Sequence, residues 1–268
     1  MKNKLLILDV DGTLTTTEKK ITEATKDRLL ALEEAGIKLV IATGRPTPGI
    51  RWIIDTLRMR AYGGYTLTFN GAKVTDLATD NIIYQNTFPN EMIRPLYDYA
   101  VENGLGMISY EGDTVIHGTR WDEYMAFEAR LNFMELKQVE DFPSYIDYPV
   151  NKCLITSDPA VSAEHERILN ERYGSKLSIY RSETCFIEAM PHGVDKAASL
   201  EKLFAAIGVD KKETVACGDG FNDISMIRFA GTGVCMQNGQ QKAKEVADYV
   251  TERTNDEDGI IEVIDRFF

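Results

Sequence analysis

Two aspartates stand two residues apart where an apolar run ends: Leu5-Leu6-Ile7-Leu8 leads into Asp9-Val10-Asp11-Gly12-Thr13. The run has the length and composition of a short buried strand, and Gly12 punctuates it. An isolated charge out of water is very costly, so acids placed there either hold a cation or do chemistry. A carboxylate can attack phosphorus directly, giving an acyl-phosphate that splits one hard displacement into two easier ones, and Asp9 is the candidate nucleophile. Side chains two apart on an extended backbone share a side, so Asp11 is the candidate acid and base.

Further along stand Ala42-Thr43-Gly44-Arg45, then Lys196, then Gly218-Asp219-Gly220-Phe221-Asn222-Asp223. The first and last of these turn polar where a strand-like run should stop. In a parallel sheet such ends converge on one rim, outside the carboxyl ends of the strands, where α/β folds bind ligands. A phosphate dianion approaching Asp9 meets like charge, so this chemistry demands a cation, and Mg²⁺ prefers carboxylate and phosphate oxygens. Asp9 and Asp219 are candidate side-chain ligands. Asp223 either anchors metal-bound water or orients Lys196.

The elements that must carry these residues alternate. Strand-like runs at 5–10, 38–43 and 65–70 are separated by helical patterns at 22–35 and 47–60, an order that favours a parallel, doubly wound sheet. From about 81 to 185 the texture changes: a strand at 82–87, a helix at 90–102, and a hairpin of 105–110 and 113–117 across Glu111-Gly112. A strand, helix, strand, strand rhythm follows at 150–156, 159–173, 176–180 and 184–188. Simple alternation then returns to the end of the chain. The expected fold class is therefore α/β, with a doubly wound parallel, Rossmann-like core domain (1–81 and 189–268) interrupted by an inserted α+β module (82–188).

The four motifs in this order resemble the haloacid dehalogenase superfamily of phosphohydrolases, in its Cof-type branch with a large cap inserted between the second and third motifs. The likeness spans nearly the whole chain. It rests on specific motifs in the core and on position, size and segment rhythm in the cap. The resemblance implies that the Thr43 hydroxyl and the backbone N–H groups of Gly44 and Val10 hold the transferring phosphate. It also implies that Lys196 neutralises Asp9 and the developing charge, that Asn222 donates a further hydrogen bond, and that Asp11 joins the Mg²⁺ ligands through its carbonyl. The implied substrates are small phosphomonoesters, sugar phosphates foremost, with nucleotides and flavin or pyridoxal phosphates also in range. The cap would close over the rim and exclude water.

Several residues keep two readings. Arg45 either reaches the substrate phosphate or the cap, or pairs with a nearby acid. His192 either touches substrate or is a solvated loop residue, and Glu188 is a hinge partner or a substrate contact. Arg120 and Arg181 are candidate specificity residues, while Trp121, Tyr124 and Phe127 at helical spacing are expected in the core.

The 268 residues are 44% hydrophobic and 27% charged, as in an ordinary globular protein, and carry a net charge of −12. That charge argues against nucleic acid or an anionic membrane as partner, so Mg²⁺ and Lys196 must create the positive field a phosphate needs. No secretory signal and no run near the roughly 18 apolar residues of a membrane span are found, and the expected location is the cytoplasm. The four cysteines lack the close pairing of zinc or redox motifs and are expected as buried thiols. Two competitors remain. A phosphomutase would need several cap arginines for a second phosphate, and this module has only a few scattered ones. A non-catalytic phosphate- or metal-binding regulator would have no use for Asp11.

Overall fold

A computed structural model describes residues 3–268. The chain divides into two compact units: one comprises the chain up to Gly44, Arg51–Gln85 and Asp195–Phe268, the other Arg45–Ile50 and Asn86–Val194.

The first unit begins with strands β1 (Leu5–Leu8), β2 (Lys38–Ala42), β3 (Tyr65–Thr68), β4 (Lys73–Asp76) and β5 (Ile82–Gln85). The second contains β6 (Gly106–Glu111), β7 (Thr114–His117), β8 (Glu135–Gln138), β9 (Cys153–Thr156), β10 (Leu177–Glu183) and β11 (Phe186–Pro191). The chain then returns to the first unit with β12 (Thr214–Gly218), β13 (Thr232–Cys235) and β14 (Tyr249–Val250).

In the first unit the eight strands lie in the order β14-β13-β12-β1-β2-β3-β4-β5. Pairing is parallel from β14 to β3, and β4 and β5 add an antiparallel edge. β1 is buried along its whole length, as expected of a strand covered on both faces. The helix Lys196–Ile207 starts from Asp195, whose side chain accepts from the Ala198 N–H. Its buried Leu200, Leu203 and Phe204 pack on Leu5, Ile7, Val40 and Ala42, a spacing that puts Lys196 on the same inward face one turn earlier. The helix start and the carboxyl ends of β1, β2 and β12 are thereby brought together.

The second unit holds a six-stranded sheet, β10-β11-β9-β6-β7-β8, antiparallel except between β7 and β8. One core joins Met107, Cys153, Ile155 and Ile187 of this sheet to Leu96 and Ala100 of the helix Ile93–Glu102 and Leu169 of the helix Pro159–Tyr173. Alternation along the strands turns Tyr110, Lys152 and Glu188 the other way.

The observed divisions differ from those expected at 81/82 and 188/189. Residues 82–85 pair with β4 in the first sheet, and residues 189–194 group with the second unit, where β11 runs to Pro191. The Ile-Ile-Tyr run suits either sheet, and its partner is set by the turn after Asp76, where Asp80 takes φ 57°. The helix expected at 47–60 is broken. A 3₁₀ turn Thr47–Ile50 groups with the second unit, the helix Arg51–Thr56 lies in the first, and Arg58 at φ 52° precedes a last turn. Trp121 and Phe127 are 56% and 42% exposed rather than core, because the helix Glu123–Leu131 buries Met125, Glu128 and Ala129 instead. All four cysteines are free and buried. Among the described residues no helix is long and apolar enough to cross a membrane.

Candidate active site

Asp9 follows β1 and is 5% exposed; its N–H donates to the Cys217 carbonyl at 3.0 Å, extending the pairing of β1 with β12. The chain then folds back on itself. The Leu14 N–H donates to the Asp9 carbonyl, and the Thr15 N–H and hydroxyl both donate to that of Val10. Gly12 makes the reversal at φ 82°, and a Cβ there would meet the Asp219 carboxylate. A side chain at this position would be both strained and obstructed.

Lys196 is fully buried and its ammonium is satisfied three ways. It donates to Asp9 Oδ1 at 2.7 Å, to Asp223 Oδ1 at 2.6 Å and to the Ala42 carbonyl at 2.7 Å. The other Asp223 oxygen accepts from the N–H groups of Asp219 (3.0 Å) and Gly220 (2.8 Å). These bonds tighten Phe221–Asp223 into a 3₁₀ turn, from which the helix Ile224–Phe229 follows. Of the two roles open to Asp223, the geometry favours orienting Lys196. Thr13 donates to Asp219 Oδ1 at 3.0 Å.

Asp9, Asp219 and Asp223 bring carboxylate oxygens within 4.8 Å of one another. Burial first, and then Asp223, push the Asp9 carboxyl well above the ordinary range, against the pull of Lys196. Burial and Asp223 likewise push Asp219 up to about 6. Burial works to lower the Lys196 ammonium, but Asp223 and Asp9 outweigh it and hold its pKa above the usual value. Three acids thus face one lysine, and the surplus negative charge fits a hard divalent cation with oxygen ligands.

Thr43 is buried just beyond β2, its N–H donating to Leu67 and its carbonyl accepting from Asn70. Asn70 Oδ1 also accepts from Asn222 Nδ2 at 3.2 Å, and a Cβ on Gly44 would lie 3.1 Å from the same oxygen. Asn70, at φ 54° beyond β3, therefore ties the 43–44 and 222 loops together. It was not among the residues singled out from sequence, although a polar residue ending a third parallel strand is the same signal that marked Asp9 and Thr43. Lys19 was missed as well; its ammonium lies 2.7 Å from Asp11 Oδ1.

Other expected residues lie elsewhere. Arg45 groups with the second unit, where it donates to the Leu131 carbonyl at 3.1 Å, at the end of the helix Glu123–Leu131. Glu188 is buried against Lys152, His192 is exposed beside Ser178, and Arg181 pairs with Glu166.

Residues 6–264 match the model of the haloacid dehalogenase-like hydrolases. A crystal structure of a haloacid dehalogenase-like hydrolase from Bacteroides thetaiotaomicron is 43% identical, with a TM-score of 0.95 over all of both chains. The HAD subclass IIB sugar phosphatase BT4131 is 27% identical, with a TM-score of 0.84 over 98% of each chain. The 5-amino-6-(5-phospho-D-ribitylamino)uracil phosphatase YcsE of Bacillus subtilis is 28% identical over 97% of this chain and 94% of its own.

Proposed function

Since this chain belongs to the haloacid dehalogenase-like hydrolase family and is a phosphatase, we propose that it is Mg²⁺-dependent, takes small hydroxyl-rich phosphomonoesters such as sugar phosphates, and passes their phosphoryl group through Asp9. The observation that carries this reading is the buried Lys196 bridging Asp9 and Asp223 beside Asp219. The printed names of two relatives, a sugar phosphatase and a ribitylamino-uracil phosphatase, support the substrate class.

An Asp9 oxygen attacks phosphorus, forming one P–O bond as the bond to the leaving oxygen breaks, and Asp11 gives that oxygen its proton. Water then attacks the phosphorylated Asp9, with Asp11 taking the proton, so that inorganic phosphate leaves and the carboxylate is restored. The Thr43 hydroxyl, the N–H groups of Gly44 and Val10, and Asn222 hold the phosphoryl oxygens, while Lys196 fixes Asp9 and balances the growing charge. Asp9, Asp219 and the Asp11 carbonyl, with Asp223 adjoining, would hold Mg²⁺, which would supply the remaining positive charge.

The test is phosphate release from sugar phosphates, nucleotides and cofactor phosphates, with and without Mg²⁺, beside Asp9→Asn. Metal-dependent release lost in Asp9→Asn is the expected result. Release that persists with a chelator, or in Asp9→Asn, overturns the proposal.

A further inference from the structure

Asp11 carries both proton transfers in this reading, yet its carboxylate lies outside the buried acid group, with 36% of the side chain exposed. Proton transfer needs one of its oxygens in a fixed place. Lys19 meets Asp11 Oδ1 at 2.7 Å. Exposed ion pairs in general contribute little, so the pair alone carries no weight. The loop that delivers Lys19 does.

Lys19 takes φ 60°, in the left-handed region where a residue with a side chain is strained by roughly 1 kcal/mol or more. The turn that imposes this is closed on both sides: the Lys19 N–H donates to the Thr16 carbonyl, and the Thr16 N–H to that of Lys20, each at 2.8 Å. It is also fastened from a distant stretch of the chain. The Thr17 N–H and hydroxyl each donate to the Asp256 carboxylate at 2.7 Å, and Asn255 Nδ2 donates to the Thr15 carbonyl at 2.9 Å. Asn238 Nδ2 donates to the Gly12 carbonyl at 2.8 Å, and its Oδ1 accepts from the Asn255 N–H. Gly12, Thr15 and Thr17 are thus all pinned. Lys19 spans a corner of the resulting cavity of about 290 Å³, lined also by Gly12, Thr17, Asn238, Asn255 and Asp256.

We propose that Lys19 is a positioning residue for Asp11: its ammonium fixes one carboxylate oxygen and thereby sets the direction of the other toward the leaving oxygen. The inference rests on the phosphatase reading and adds to it a residue that acts through Asp11. A strained backbone held by four distant hydrogen bonds is otherwise an unexplained cost on an exposed loop.

The test compares Lys19→Ala, Lys19→Arg and wild type, with Mg²⁺, on an alkyl phosphate and on p-nitrophenyl phosphate. The nitrophenolate leaves without needing a proton, so kcat/KM for that substrate is insensitive to the acid. Lys19→Ala is expected to lower kcat/KM about tenfold or more on the alkyl phosphate and under about threefold on the nitrophenyl ester, within the range of acid catalysis. Lys19→Arg should recover most of the loss at unchanged Tm, and adding Lys19→Ala to Asp11→Asn should cost nothing further. An equal fall on both substrates, no fall, no recovery by arginine, or additivity with Asp11→Asn overturns the proposal. A wild type that releases phosphate from neither of these esters nor from any sugar phosphate overturns the phosphatase reading, and this inference with it.

Discussion

Among the described residues each unit buries one lysine among acids, and the two arrangements differ in a way that separates chemistry from architecture. In the second unit Lys152 Nζ lies 3.0 and 2.9 Å from the two oxygens of Glu188, Ser182 donates to Glu188, and Tyr110 donates to Glu128 at 2.7 Å. Lys152 also stands over the Tyr110 ring, and Arg45 acts on Glu128. Hydroxyls and cations there match the acids, on neighbouring antiparallel strands. In the first unit three acids face Lys196 alone, and they sit where parallel strands end and backbone N–H groups point inward. A balanced cluster holds a sheet together. An unbalanced one at strand ends calls for something from outside.

The largest effect that would sharpen this contrast is on turnover. Lys196→Met should lower kcat about a thousandfold, the scale of removing a preorganised charge from a transition state. Lys152→Met should leave kcat of the folded enzyme near wild type but cost about 3–5 kcal/mol of stability, because Glu188 is left buried and unpaired; Lys152→Met with Glu188→Leu should regain most of it. If Lys152→Met instead abolished turnover with stability intact, the two clusters would not differ in kind. Denaturant unfolding beside steady-state kinetics makes the comparison.

The motifs were legible because strand-end chemistry is local. Asp9 and Asp11, Thr43 and Gly44, and Asp219 to Asp223 each lie within a few residues of the apolar run that carries them. A parallel sheet does the rest of the gathering. The second unit's cluster was not legible: Tyr110, Lys152 and Glu188 meet across strands, and Glu128 comes from a helix, so no short window contains a pair. The same limit explains β5, whose partner β4 was unrecognised, and Lys19, whose reach to Asp11 depends on a turn fastened by Asp256. Trp121 and Phe127 misled because three aromatics at helical spacing mark a face without saying which way it turns.

Charge balance gives the next prediction. Mg²⁺ at a hundred times its Kd should stabilise the wild type by about 2.7 kcal/mol, read as a rise in Tm that a chelator reverses. Asp219→Asn should lose that rise. An equal rise in Asp219→Asn would place the cation elsewhere.

The last expected effect concerns a buried acid outside both clusters. Glu33 is 4% exposed, neither of its carboxylate oxygens has a hydrogen-bond partner, and burial raises its pKa to about 8 against the pull of Lys38 and Arg58. Above its ordinary pKa of 4.5 the unfolded chain releases this proton while the folded one keeps it, so stability falls as pH rises from 4.5 to about 8 and levels off beyond. Glu33→Gln should remove that fall. Its gain over wild type should grow from nothing near pH 4 and level off above pH 8, read as the difference in Tm across that range. A gain independent of pH would contradict the assignment.

The most direct test of the central claim, that Asp9 takes the phosphoryl group before water does, is the stereochemical course at phosphorus with an isotopically chiral thiophosphate monoester hydrolysed in water of a third oxygen isotope. Each in-line displacement inverts the centre. Transfer to Asp9 followed by hydrolysis should therefore give inorganic thiophosphate with configuration retained. Net inversion would mean a single attack by water on the substrate, and would contradict Asp9 as nucleophile.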